Sequence, residues 1–286
     1  MSTRTAVLPQ YFIPKQLLTN FAGWVAGSRW GGLTTWIIRD FVARYGVDMA
    51  EAAESDVAAY DTFNAFFTRA LKPGARPIAD AELVCPVDGA VSQCGKIAGE
   101  RIFQAKGHDY TATALLGGDA ATAARFKDGL FATIYLSPRD YHRIHMPCDG
   151  RLTRMIHVPG DLFSVNPTTA RGVPGLFARN ERVVCMFEGA RGPWALVLVG
   201  ATIVGSMATT WHGIVNPPRP GKLREWRYGA GEVALKKGDE MGRFLLGSTV
   251  VLLFPQDAGF AFEAGWVEEK PVRLGEAMAR HAAAAR

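Results

Sequence analysis

The chain has 286 residues, of which 48% are hydrophobic and 21% charged, and its formal net charge is +5. This composition excludes a disordered or fibrous chain, and the length suits one large domain or two small ones. The mild basic excess fits an anionic partner, a phospholipid surface or a nucleic acid, without choosing between them. Cys85, Cys94, Cys148 and Cys185 form no CxxC pair and show no zinc-ligand spacing, so reduced thiols are expected. No stretch approaches the roughly 20 apolar residues of a membrane span, and no signal-peptide pattern is evident, so any membrane contact would be peripheral.

In chain order, residues 11–70 read as helical. Leu17, Phe21 and Val25 recur every four residues, as do Leu33, Ile37, Phe41 and Tyr45. Gly31 and Gly32 break the segment into two helices. Trp24, Trp30 and Trp36 add large amphipathic rings, and Lys15, Arg29, Arg39 and Arg44 add positive charge. Two dispositions suit this pattern: an amphipathic anchor lying in a lipid interface, or a helical hairpin packed on its own domain. Near residue 72 the texture changes. The turn chemistry of "LKPGARPI" is followed by short apolar runs such as "FATIYL", "RVVCMFEG", "WALVLVGATIVG", "GEVALKKG" and "TVVLLFP", punctuated by Gly, Pro and Asp. The expected fold is therefore α+β: amphipathic helices over 1–72, then an antiparallel β-sandwich or barrel-like region over 73–286. Neither GxGxxG nor GxxxxGK[ST] occurs, so no nucleotide-phosphate loop is expected.

Four stretches carry residues suited to chemistry. "PVDGAV" contains Asp88 in an Asp-Gly turn. "SPRDYHRIHMP" contains His142 and His145, "PGDLFSVNP" contains Ser164 and Asn166, and "FLLGSTVVLLF" contains Gly247 and Ser248. Each has a bland alternative: surface or core histidines, turn formers before Pro167, a bent buried strand. Two histidines three residues apart in a polar, Arg-rich loop favour acid–base work. Without HExxH or a Cys or carboxylate at ligand spacing, no metal is expected. A serine nucleophile needs a base and an oriented base, which Asp88, a histidine and Ser248 could provide. Ser248, however, lacks the G-x-S-x-G context of a strand–turn–helix hydrolase.

Six stretches taken together resemble the phosphatidylserine decarboxylases. They are "FNAFFTRALKPGARPI" (63–78), "PVDGAV" (86–91), "QAKGHDYTATALLGG" (104–118), "YLSPRDYHRIHMPCDG" (135–150), "VPGDLFSVNP" (158–167) and "GSTVVLLFP" (247–255). The LGST signature stands intact at 246–249. The resemblance implies a proenzyme that cuts itself between Gly247 and Ser248, giving a β chain of 1–247 and an α chain of 248–286. Ser248 would become a pyruvoyl group, with no pyridoxal phosphate and no metal, and would hold the substrate as a Schiff base during decarboxylation. Asp88, His145 and Ser248 match the family's self-cleavage triad. His142 matches the residue of the decarboxylation step, and Ser164 and Asn166 are candidate substrate contacts. Phosphatidylserine in an anionic membrane would be the partner, at the cytoplasmic face of the cell membrane, with no nucleic acid. Exposed apolar helices would also suit a homodimer. The remaining alternatives are a pyruvoyl-dependent decarboxylase of a soluble amino acid, a Ser-His-Asp hydrolase and a non-catalytic membrane-surface module.

Overall fold

The computed structural model describes residues 7–105, 107–202, 206–245 and 248–281, the side chain of Ser248 excepted. Leu246, Gly247 and that side chain, and so the geometry expected of the LGST signature, lie outside the described residues. The end of the predicted strand 194–205 does too.

Two helices, Lys15–Gly27 and Gly32–Tyr45, flank the predicted break. Gly31 sits there at φ +54, a conformation that costs glycine little. The second helix ends at Gly46, whose left-handed backbone (φ +66) closes its last turn. The helical expectation fails over 46–62, which forms turns and one short 3-10 turn, Val57–Ala59. Asp48 and Asp56 explain the failure: their carboxylates accept the backbone N–H groups of Ala50 and Ala58, offering those amides a local alternative to helix bonds. Helix resumes only at Phe63–Phe67, capped by Thr62.

The helices are two-sided. Ile38 is fully buried, and Phe41 packs edge-on against Phe63, Phe66 and Phe67 at ring separations of 5.0, 5.9 and 6.1 Å. The opposite side exposes Leu17, Phe21, Trp24, Leu33 and Trp36. Gln10 and Asn20 tie this region to the body, Gln10 to the Ser164 amide and Thr169, and Asn20 to Arg219.

From residue 83 onward strands dominate, and the protein is α+β, about 35% strand and 23% helix. The principal sheet has nine antiparallel strands. It runs from Arg224–Arg227 through Gly150–Val158, Arg182–Gly189, Gly192–Val199, Ser248–Phe254, Leu130–Leu136 and Gly89–Lys96 to Pro271–Val272. Ala234–Leu235 also pairs with Gly150–Val158. The sheet has two ends and does not close, so the barrel-like arrangement is not formed. A four-stranded sheet (Gly213–Asn216, Met207–Thr209, Glu240–Phe244, Arg143–His145) and a three-stranded one (Leu83–Val84, Ala277–His281, Phe260–Phe262) accompany it.

Ser248–Phe254 lies inside the principal sheet. It pairs over seven residues with Leu130–Leu136 and over five with Gly192–Val199. Alternate side chains feed two cores. Val251 and Leu253 join Phe66, Phe126 and Phe177 on one face, while Val250, Leu252 and Phe254 join Ile144, Met207 and Met241 on the other. Burial on both faces explains why the run is continuously apolar rather than alternating. Gly89 is demanded by the neighbouring strand: a Cβ there would lie 2.3 Å from the carbonyl oxygen of Tyr135.

Candidate active site

Ser248 opens its strand opposite Leu136. The chain leaving Leu136 makes a tight turn in which Ser137 donates its backbone N–H and its hydroxyl to Asp140, at 2.6 and 2.8 Å. His142 follows. Its backbone carbonyl accepts from Phe244 at 3.0 Å, binding this loop to the strand that leads toward 248.

The His142 ring is fully buried and stacks on Phe67, with centroids 4.0 Å apart. Nε2 lies 3.1 Å from the carbonyl of Ser137, so it carries the proton, and Nδ1 keeps a buried lone pair with no partner. Burial, with the nearby Arg69 cation, pushes the His142 pKa down to about 3. This imidazole is therefore a neutral base at physiological pH.

His145 is held differently. Its Nδ1 lies 2.7 Å from the carbonyl of Gly238 and so donates to it, leaving Nε2 as an acceptor 3.2 Å from the Tyr141 hydroxyl. Burial lowers the His145 pKa, while the Gly238 carbonyl and the Glu240 and Asp88 carboxylates favour its charged form. Burial pushes the Tyr141 phenol up to about 12, keeping it a donor.

Asp88 makes no hydrogen bond to His145. Its carboxylate takes a forked pair from Arg76, Nε at 2.9 and 3.1 Å and Nη2 at 2.6 Å, and also accepts the Leu274 amide at 2.9 Å. Arg76 reaches Glu51 as well, at 2.7 Å. The orienting partner of His145 is thus a backbone carbonyl 93 positions away, for which no side-chain motif exists.

Asn166 caps the short helix Pro167–Gly172 by accepting the Thr169 amide at 2.9 Å, while the Ser164 amide donates to Gln10 at 3.0 Å. Their neighbours Val165 and Pro167, rather than they, line a cavity of about 290 Å³ that also includes Tyr135, Ser137 and Asp140. A second cavity, about 320 Å³, is lined by Arg69, Arg76, Asp88 and Tyr141, and Gly89, Arg139, Asp140 and Pro271 border both. A third, about 500 Å³, lies at the far end of the Ser248–Phe254 strand, beside Phe254 and Trp194. Among the described residues no three His, Cys, Asp or Glu side chains gather into a metal-holding group.

The α+β fold thus carries a fully buried neutral imidazole, His142, and a half-buried one, His145, downstream of Leu136, the residue paired with Ser248. A family model described as phosphatidylserine decarboxylase matches residues 63–280, and one described as PSD matches 5–46. Relatives named phosphatidylserine decarboxylase proenzyme include those of Variovorax paradoxus (strain S110), 74% identical, and Acidovorax ebreus (strain TPSY), 74%. Another, from Methylibium petroleiphilum, is 72% identical, and each match covers 98% of both chains. This chain belongs to the phosphatidylserine decarboxylase family.

Proposed function

We propose that the chain is a self-cleaving precursor that matures into an enzyme decarboxylating phosphatidylserine to phosphatidylethanolamine at a membrane surface. The observation that carries this is near-full-length identity to proenzymes of that name, with LGST at 246–249 intact. In the cut, Ser248 Oγ attacks the carbonyl carbon of Gly247 and its proton passes to His145 Nε2. The amide becomes an ester, and elimination breaks the ester to leave dehydroalanine at 248 and a carboxylate on Gly247. Water then releases ammonia and leaves a pyruvoyl group. The Gly238 carbonyl fixes the His145 tautomer needed for the first step, and Asp88, itself held by Arg76, favours the imidazolium that forms.

A pyruvoyl carbonyl at 248 supplies an electrophile for the substrate amine and a sink for the electrons left by departing CO2. The residues present fit such a group. Its strand is paired on both sides, and the loop after its partner Leu136 carries a buried base with a free lone pair, His142 Nδ1. His142 Nδ1, unprotonated at neutral pH, can accept a hydrogen bond from the substrate's amine and orient it for the decarboxylation step. Phe67, stacked on its ring, keeps water from that face.

The region 1–72 is the membrane-associating part, and 73–286 the catalytic part. Trp24 and Trp36, 62% and 64% exposed, enter the lipid interface with Leu17 and Phe21, and basic residues meet anionic headgroups. No described helix is long and apolar enough to cross a membrane.

Denaturing mass spectrometry of wild type beside Ser248→Ala tests the proposal. Wild type should give chains 1–247 and 248–286, the latter beginning with pyruvoyl, and should release CO2 from detergent-dispersed phosphatidylserine. Ser248→Ala should stay intact and inactive. An intact, serine-bearing wild type that still releases CO2 would refute it.

A further inference from the structure

His142 is fixed in three ways. Its backbone carbonyl accepts from the Phe244 amide at 3.0 Å, its ring stacks on Phe67 at 4.0 Å, and Nε2 donates to the Ser137 carbonyl at 3.1 Å. The first two set where the ring lies. Stacking does not distinguish the ring nitrogens, so the third bond decides which of them carries the proton. A neutral imidazole has one N–H. With the Ser137 carbonyl as its acceptor, that N–H sits on Nε2 and the lone pair is left on Nδ1. Were the carbonyl turned aside, the buried ring would lose its acceptor and with it the preference for this tautomer.

That carbonyl is held in place by one side chain. Asp140 Oδ2 accepts the Ser137 backbone N–H at 2.6 Å and the Ser137 hydroxyl at 2.8 Å, while the Asp140 amide donates to the Ser137 carbonyl at 3.0 Å. Residues 137–140 are therefore a turn closed by three bonds between its first residue and its last. Pro138, inside it, has no N–H to add. The other acid at this site is used differently, since Asp88 is gripped by Arg76 at 2.6 Å. Among the described residues the one ion pair of Asp140 is loose, 3.9 Å to Nε of the exposed Arg139. Its close bonds go to Ser137.

Resting on the function proposed above, we infer that Asp140 is a positioning residue for decarboxylation, pinning the Ser137 carbonyl that keeps the His142 proton on Nε2 and its Nδ1 open as an acceptor. Asp140 acts through Ser137 and His142 and touches no reacting atom in this role. What counts is where its oxygen stands, and its charge is secondary. The turn begins directly after Leu136, the partner of Ser248, so a shift of the turn also moves the base relative to the start of the central strand.

Asp140→Asn and Asp140→Glu separate position from charge. Asn keeps an acceptor oxygen in the same place without the charge, whereas Glu keeps the charge and moves it by one methylene. On detergent-dispersed phosphatidylserine, matured Asp140→Glu should lose kcat about 30-fold with KM within about threefold, and Asp140→Asn should stay within about threefold of wild type in both. The reverse ranking would give Asp140 a charge role, such as holding the substrate's ammonium, and would overturn the proposal. Equal behaviour of the two variants would overturn it as well.

Nitrogen NMR of isotopically labelled histidine reads the tautomer without turnover, the His142 signals being identified by their absence from His142→Phe. Wild type and Asp140→Asn should carry the proton on Nε2 alone, and Asp140→Glu should show a mixture. An unchanged tautomer in Asp140→Glu defeats the assignment even where kcat has fallen. If Asp140→Glu does not fold, Ser137→Ala takes its place. It removes one of the two bonds to Oδ2 and should cost about fivefold in kcat, and an unchanged kcat there counts against Asp140. The NMR reading applies equally to the uncleaved Ser248→Ala chain. Wild type that neither cleaves nor releases CO2 therefore defeats the underlying function, while cleaved, active wild type whose His142 tautomer ignores Asp140 defeats this assignment alone.

Discussion

The helices Lys15–Gly27 and Gly32–Tyr45 and the strand Ser248–Phe254 are all rich in large apolar residues, yet Trp24 and Trp36 stand more than 60% exposed while Leu252 is wholly buried. The strand finds both of its partners inside the chain, a core on each face and a neighbour on each edge. The helices find one. Ile38 and Phe41 rest on Phe63, Phe66 and Phe67, and the outer stripe stays largely exposed among the described residues, its rings meeting one another at Phe21, Trp24 and Trp30. Apolar periodicity thus reports that a surface needs covering. It does not report whether protein or lipid does the covering.

Three measurements would break or sharpen this contrast. Leu252→Ala should lower the unfolding free energy by about 3 kcal/mol, as expected for a large-to-small change between two packed cores, measured by denaturant titration. A loss below about 1 kcal/mol would mean the strand is less enclosed than its packing indicates. Acid should act next, and selectively on the body. His142 has its pKa pushed down to about 3, below its ordinary value of 6.5, so the unfolded chain binds the extra proton between those values. The stability contributed by neutral His142 is full above about pH 6.5 and falls as pH drops toward 3, by up to about 1.4 kcal/mol per pH unit. His142→Phe should flatten that dependence in thermal melts, and an unaltered slope would count against the burial. The smallest effect on folding belongs to Trp24→Ser with Trp36→Ser, which should change stability by no more than about 0.5 kcal/mol. The same pair should sharply reduce sedimentation with vesicles containing phosphatidylserine. Lost stability with unchanged vesicle binding would show that the stripe is covered by protein after all.

Much of this was legible in the residues. The strand at 248–254 and the two helices broken near Gly31 follow from periodicity and glycine chemistry. Helix over 46–62 was misread because Asp48 and Asp56 capture nearby amides, a local bond that hydropathy does not register. At the site, Asp88, His142 and His145 stand out as residue types, but their partners do not. The Gly238 carbonyl is backbone, and Arg76 and Arg69 sit in one short motif with no spacing to distinguish the arginine that grips Asp88 and Glu51 from the one that pairs with neither. Asn166, expected as a substrate contact or a turn former before Pro167, instead caps the helix Pro167–Gly172.

Under the proposed cut before Ser248, the interior position of Ser248–Phe254 would have a further consequence. The 248–286 piece supplies this central strand, the Pro271–Val272 edge beside Gly89 and Ala90, and Ala277–His281 beside Leu83 and Val84. The two products are therefore interleaved rather than merely touching, and neither retains a complete core. Folding of the precursor is a unimolecular event. Regaining the same structure from separated products is bimolecular, so the mature protein's recovery from denaturation depends on dilution in a way that the precursor's does not.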